Sequence, residues 1–226
     1  MKYKYFNIKV LILSTVALFF TTTEIKAQVD LGVDIMSRYV WRGADFGNSP
    51  SIQPDISITA GNFAIGTWAA FATTGNPDGT EVDWYASYTI DAGNAGAFDL
   101  VLTDYSFPVG PGYFSESDVH FVETGIGYGG PDSFPVSIFA GMFVTNDDDN
   151  SVYIELGYDT GPLDLVMGFT PSESATYGTT GAGVINLGFG TSREVQVSEL
   201  LSIDLSASVT TNPYNETLFF VFGFGL

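Results

Sequence analysis

The sequence predicts an all-β protein, a transmembrane up-and-down antiparallel β-barrel of about twelve strands after a cleavable signal peptide. Three observations predict this class. The chain opens with a short secretory leader, most of the remainder alternates apolar and polar side chains with period two, and the last residues form an alternating aromatic run. The predicted division is residues 1–27 for the signal peptide and residues 28–226 for the barrel.

The leader has the three parts of a secretory signal. Lys2 and Lys4 give it a basic start, residues 10–20 are apolar, and Ala27 is the expected cleavage point. The apolar stretch is shorter than the roughly 20 residues that a membrane-spanning helix needs. We therefore expect export across the inner membrane and removal of the leader, with a retained anchor as the alternative.

Charge and composition exclude several classes of function. Of the seven Lys and Arg residues, four lie in the leader, so the remainder carries three arginines and almost all of the 26 acids. Such a surface repels nucleic acid, which we do not expect as a partner. The chain has no cysteine, and His120 is its one histidine, so we expect neither a thiol nucleophile nor a histidine-based metal site, and no cofactor.

The strands are predicted from alternation. In residues 201–209, Leu, Ile, Leu, Ala and Val alternate with Ser, Asp, Ser and Ser, and the final residues 218–226 repeat the pattern with Leu and Phe. Successive side chains of a strand point to opposite faces, so each such segment has one apolar face. We count twelve such segments, beginning near residues 29, 51, 63, 80, 97, 117, 135, 151, 162, 183, 200 and 216. The seventh is apolar on both faces, so the alternation does not assign its orientation.

Strand length and face chemistry favour a membrane barrel over a soluble β-sandwich, which is the alternative. Segments of about nine to eleven residues match a tilted transmembrane strand, and the bulky apolar face is opposed by Gly, Ser, Asp and Tyr. An even number of strands places both termini on the periplasmic side. Short joints are then expected there at 60–62, 129–134 and 159–162, with one long inner joint at 192–199. Outer loops are expected at 41–50, 74–80, 107–117, 146–150, 171–182 and 210–215.

If the bulky faces contact lipid, the polar faces line the lumen. Acids outnumber arginines there, which favours cations or neutral polar solutes over anions. A lumen filled by hydrogen-bonded side chains is the alternative. Arg38 and Arg42, four residues apart and read as one strand face, are expected either as a positive ladder opposite the acids or as partners in structural ion pairs. The predicted pore-lining residues are Asp30, Asp34, Arg38, Arg42, Asp55, Asp83, Asp99, Glu123, Glu155, Asp164 and Asp204.

Other motifs favour structural roles. The acidic run of residues 147–149 is expected as a solvated turn, with a calcium site as the alternative. Gly125, Gly127 and Gly130 match a nucleotide-binding spacing but lie in a strand with no helix after it. His120 is expected on the lipid side beside Val122, so a Ser-His hydrolase is not expected and the protein is predicted not to be an enzyme.

The segment Ser37-Arg38-Tyr39-Val40-Trp41-Arg42-Gly43, followed by residues 49–54 (SPSIQP), carries a family resemblance. It resembles the opening of the proteobacterial Gcw_chp proteins, also called the TorF family of porins. The resemblance is specific over residues 29–60 and general beyond them. It implies an outer-membrane, porin-like role and brings no catalytic residues.

These observations together lead to one expected function and two alternatives. We expect passive diffusion of small polar or cationic solutes across the outer membrane of a Gram-negative-type bacterium. The first alternative is a non-conducting structural or adhesive barrel with acidic surface loops, and the second is a soluble exported β-sandwich or lectin. Expected partners are outer-membrane lipid and the barrel-insertion machinery, while the oligomeric state stays open.

Overall fold

The structure is a computed structural model that describes residues 27–108, 116–199 and 201–226. Twelve strands form a closed antiparallel barrel, which confirms the predicted fold class. The predicted leader lies almost entirely outside the described residues. The barrel strands are β1 (Ala27–Met36), β4 (Ser51–Ala60), β5 (Phe63–Ala72), β6 (Thr80–Asp91), β7 (Ala97–Ser106), β8 (His120–Gly129), β9 (Val136–Phe143), β10 (Val152–Asp159), β11 (Asp164–Thr170), β12 (Gly183–Ser198), β13 (Leu201–Asn212) and β14 (Thr217–Gly225).

Two further strands stand apart from the barrel. β2 (Tyr39–Trp41) and β3 (Ala44–Phe46) pair only with each other and form a small hairpin between β1 and β4. We call residues 39–46 the lumen hairpin. The lumen hairpin is not part of the barrel wall, so β1 pairs directly with β4 along its whole length. On its other side β1 pairs with β14 and closes the ring, with Asp34 opposite Gly225.

The alternation of the sequence places the barrel strands well. The predicted starts agree with the observed ones to within three residues, because each segment has one continuous apolar face and ends at Gly, Pro, Asn or Asp. One joint is wrong: residues 192–199 do not form a long inner loop. β12 continues through Val195 to Ser198 and pairs with β13 up to Leu201, with an irregular register after Gln196.

The outward faces form a continuous apolar belt. Leu100, Ile126, Leu218 and Phe220 are 49%, 50%, 70% and 62% exposed, and they alternate with inward residues along their strands. Closure pairs the backbone groups of the wall without leaving a sheet edge, which is what a hydrocarbon environment requires. The belt and the closed ladder therefore fit an outer-membrane barrel. No helix among the described residues is long and apolar enough to cross a membrane.

The connections differ in length at the two ends. At one end the turns are short, at residues 61–62, 130–135 and 160–163, as predicted. The other end, the loop end, carries the longer connections 37–50, 73–79, 144–151 and 171–182. A small buried cluster, with Phe143, Tyr153, Tyr177 and Ile185 at its centre, lies inside the barrel towards the loop end.

Candidate functional site

The strand register places the predicted acids on the inward face of the barrel. Residues that lie opposite each other on neighbouring strands point to the same face of the barrel wall. The inward positions of all strands therefore form one continuous face, and they alternate with the exposed residues of the belt. The acids on this inward face are Asp30, Asp34, Asp55, Asp83, Asp99, Glu123, Glu155, Asp164 and Asp204. Their exposure differs: Asp83 and Glu123 are buried, whereas Asp30, Asp34, Asp164 and Asp204 are exposed to solvent.

The two predicted arginines do not lie on a barrel strand, so the ladder on one strand face is wrong. β1 ends at Met36, Arg38 precedes β2, and Arg42 lies in the turn of the lumen hairpin with a positive φ of 47°. The turn Arg42-Gly43 reverses the chain after three residues, which a run of alternating residues does not reveal. The ion-pair alternative holds for both: Arg38 pairs with Asp45, and Arg42 with Glu123.

The lumen hairpin lies inside the loop end of the barrel. The guanidinium of Arg42 reaches Glu123 on β8, and the hydroxyl of Tyr39 donates to Glu81 on β6 over 2.9 Å. On the far side of the ring, a Cβ added to Gly43 would lie 2.0 Å from the carbonyl oxygen of Ile185 on β12. Contacts on opposite walls mean that the hairpin crosses the lumen and narrows it.

Arg42 is the main anchor of the hairpin. Its two terminal nitrogens donate to the two carboxylate oxygens of Glu123 over 2.7 and 2.9 Å, and one of them also donates to the hydroxyl of Tyr177 over 2.6 Å. The side chains of Arg42 and Glu123 are only 9% and 3% exposed. A bidentate pair fixes the relative geometry of the two side chains. Because both side chains are buried, removal of either partner leaves an uncompensated charge away from water.

Aromatic rings surround the guanidinium. Its central carbon lies 4.1 Å from the ring centre of Tyr153 and 4.5 Å from that of Trp41, with Phe139 and Tyr177 further away at 5.5 and 6.0 Å. A cation held over ring faces is attracted by their negative quadrupole, and more strongly where water is excluded. This explains why β9 is apolar on both faces: its inward face packs against the hairpin.

Inward glycines make room for this cluster. A Cβ on Gly141 would lie 2.5 Å from a carboxylate oxygen of Glu123, and a Cβ on Gly168 would lie 2.1 Å from the hydroxyl of Tyr153. These strand glycines therefore leave room for the large polar side chains of the neighbouring strands to lie along the barrel wall.

We call the lumen hairpin and the side chains packed around it, Glu81, Glu123, Phe139, Phe143, Tyr153, Tyr177 and Ile185, the hairpin cluster. Acids at the barrel seam lie outside this cluster. A Cβ on Gly225 would lie 2.3 Å from an oxygen of Asp34, with Asp204 close by, and a Cβ on Gly32 would lie 2.4 Å from an oxygen of Asp55. Asp34, Asp55 and Asp204 therefore face the same part of the lumen. The salt bridges of the described residues do not include any of them, so this part of the lumen is negatively charged.

The acidic run at residues 147–149 joins two loops. Asp147 accepts hydrogen bonds from the amides of Asp149 and Ser151 and from the hydroxyl of Thr176, and Asp149 accepts from the amide of Ala175 over 2.9 Å. Partial burial raises the pKa of Asp147, but these hydrogen bonds outweigh it and lower the pKa below its usual value. The described residues contain no cluster of three or more metal-ligating side chains.

His120 has the predicted orientation. It shares the outward face of β8 with Val122, and its Nδ1 lies 3.0 Å from a carboxylate oxygen of Asp104 on β7. The imidazole is therefore directed away from the lumen acids.

Sequence reasoning missed several residues of the hairpin cluster. Tyr153 is inward and buried, Tyr177 comes from a loop, and Glu81 is the second residue of β6. Glu81 shares a face with Asp83 and could have been found from the alternation. Tyr177 gave no signal, because its place depends on how the loop folds back over the barrel.

Comparisons with known proteins add the family. A search of the curated proteins found no match. A family model described as "Bacterial protein of unknown function (Gcw_chp)" matches residues 22–165, which include the lumen hairpin and β4 to β10. The match covers well over half of the chain, and its description assigns no function. The chain therefore belongs to the Gcw_chp family, as the segment around Arg38 and Arg42 indicated.

Proposed function

We propose that the protein is a narrow outer-membrane channel that admits small polar or cationic solutes and is constricted by the lumen hairpin. The observation that carries the proposal is an acidic lumen in which, among the described residues, the carboxylates other than Glu123 have no basic partner on the barrel strands. Within the described residues, Arg38 and Arg42 are already paired, and Arg193 lies exposed at the end of β12 that is remote from the hairpin. A mobile cation or a neutral solute suits such a lumen better than an anion.

In a barrel with this number of strands, the side chains inside the lumen determine whether an aqueous channel is left open. Eight-stranded barrels are filled by their own side chains, whereas barrels of 16 to 18 strands leave an aqueous channel. Twelve strands lie between these cases. The exposed acids Asp34 and Asp204 support a solvated path in part of the lumen, while the lumen hairpin restricts the other part.

Ion selectivity of single channels tests the proposal. In a planar bilayer with a salt gradient, the purified barrel should give small, cation-selective steps. Asp55→Asn with Asp204→Asn should reduce the cation preference, because both carboxylates face the lumen. Asp148→Asn removes one charge from an exposed loop and serves as the control. Anion selectivity, or equal selectivity in all variants, would contradict the role of the acids.

A second candidate function, a non-conducting structural barrel, is favoured by one observation. Tyr153 and Ile185 are 1% and 0% exposed, so the hairpin cluster is closely packed where it crosses the lumen. A folded barrel that is electrically silent in the same bilayer would support this candidate and refute the channel. Folding is checked independently by the heat-dependent shift in gel mobility that closed barrels show.

A further inference from the structure

A cavity of about 250 Å³ lies beside the lumen hairpin at the loop end. We call it the aromatic recess. Ligand sites for drug-sized molecules measure roughly 300–1,000 Å³, so this recess suits a smaller ligand. Glu81 and Thr176 are its polar lining residues, and its rings are those of Trp41, Phe46, Tyr105, Phe107, Phe121 and Phe143.

The rings form a cage rather than a stack. The ring centres of Trp41 and Tyr105 are 5.4 Å apart at an interplanar angle of 65°, and those of Tyr105 and Phe143 are 5.6 Å apart at 50°. The ring planes of Phe107 and Phe121 meet at 74°, with their centres 5.8 Å apart. Rings at such angles present both faces and edges to the space between them, and their faces carry negative potential.

Glu81 adds a buried carboxyl group to this cage. It is 3% exposed, and one of its oxygens accepts the hydroxyl of Tyr39. The arginines at this end pair elsewhere, and the salt bridges of the described residues do not include Glu81. Nearby on the same face, Asp83 is 6% exposed and one of its oxygens has no hydrogen-bond partner. Buried carboxylates of this kind favour a positively charged partner.

Arg42 does not supply that partner. Its guanidinium lies over one ring of the recess, that of Trp41, but both of its terminal nitrogens are bound to the two oxygens of Glu123. The charge of Arg42 is thereby compensated outside the recess, and Glu81 has no basic partner among the described residues.

We propose that the aromatic recess binds a small organic cation of the alkylated ammonium class, with Glu81 as the counter-charge and Trp41 and Tyr105 as part of the ring wall. Metal ions such as Ca²⁺ and Mg²⁺ require about six or more oxygen ligands, which a wall of rings does not provide. An alkylated ammonium gains both from the ring faces and from the carboxylate. Binding of the cation does not depend on the proposed channel. Only the further step, that the bound cation is also a transported solute, rests on the proposed function.

Choline and its neutral isostere 3,3-dimethylbutan-1-ol are the probes. Isothermal titration calorimetry on the whole barrel in detergent should show saturable choline binding, with the isostere at least tenfold weaker. Glu81→Gln should weaken choline binding at least tenfold, because it removes the charge and keeps a hydrogen-bond acceptor for Tyr39. Asp148→Asn, a charge change on an exposed loop, should leave the affinity unchanged.

Three results would overturn the inference: equal binding of choline and the isostere, no saturable choline binding, or wild-type affinity in Glu81→Gln. If Glu81→Gln fails to fold, the comparison of the two probes on the wild-type barrel and the loss of affinity in Trp41→Leu still decide it. Conductance measured on the same preparation separates the two proposals. Choline binding by a silent barrel would refute only the channel, and conduction without choline binding would refute only the recess.

Discussion

The ion pair between Arg42 and Glu123 is the most informative place to perturb the lumen hairpin. Arg42→Met keeps an unbranched apolar stem but removes the guanidinium, which leaves Glu123 buried with one remaining donor, the hydroxyl of Tyr105 at 3.0 Å. Removal of one partner from a buried pair costs about 3–5 kcal/mol. The barrel ladder is not involved in this pair, so we expect the cost to fall on docking of the hairpin.

This cost corresponds to a large change in an opening equilibrium. At about 1.4 kcal/mol for each factor of ten, undocking of the hairpin should become roughly one hundred to a few thousand times more frequent. Hydrogen exchange measured by mass spectrometry reports such local opening. Amides in residues 39–46 should exchange faster by this factor in Arg42→Met, while those in β7 should keep wild-type rates.

Two variants complete the experiment. Arg193→Met removes an exposed arginine and should leave exchange in the hairpin unchanged. Adding Glu123→Leu to Arg42→Met should recover much of the protection, because the unpaired buried charge is then gone. Wild-type exchange in the Arg42→Met hairpin, or an equal rise throughout the barrel, would refute the reasoning.

Three further predictions concern the hairpin, the loops and the outer belt. Gly43→Ala should speed hydrogen exchange in the hairpin, whereas Gly61→Ala should leave it unchanged. Both glycines have a positive φ, but a Cβ added to Gly43 meets backbone atoms within 4 Å and one added to Gly61 meets none. The pKa of Asp147 is lowered in the folded state, so its carboxylate stabilises the loops at neutral pH. This stabilisation should be lost as the pH falls below about 4, and faster proteolysis of the loop end would report the loss. Leu100→Arg should destabilise the barrel in lipid by about 2–4 kcal/mol in urea unfolding, and Val101→Arg on the inward face should cost less.

The sequence was sufficient for the wall of the barrel. Strand starts, the exposed belt and the inward acids all follow from a period-two pattern, because the apolar exterior and the polar lumen of a barrel require opposite chemistry at alternate residues. The prediction for β12 is wrong only at its end, where Val195 and Val197 extend the alternation through the joint predicted at residues 192–199.

The lumen hairpin could not be predicted in the same way. β2 and β3 have three residues each, too few for an alternation signal, so the sequence predicts an outer loop at residues 41–50. Inward folding of this segment depends on long-range contacts, such as that of Arg42 with Glu123, 81 residues later in the chain. The aromatic recess is likewise built from several strands and loops, so no local pattern marks it.

Constriction by the lumen hairpin is the central claim, and single-channel conductance tests it most directly. The wild-type barrel is compared with a variant in which a Gly-Ser linker replaces residues 39–46, after heat-modifiability has shown that both are closed barrels. We expect small cation-selective steps from the wild-type barrel and steps several times larger, still cation-selective, from the variant. Equal conductance in the two proteins, or two silent barrels, would contradict the claim.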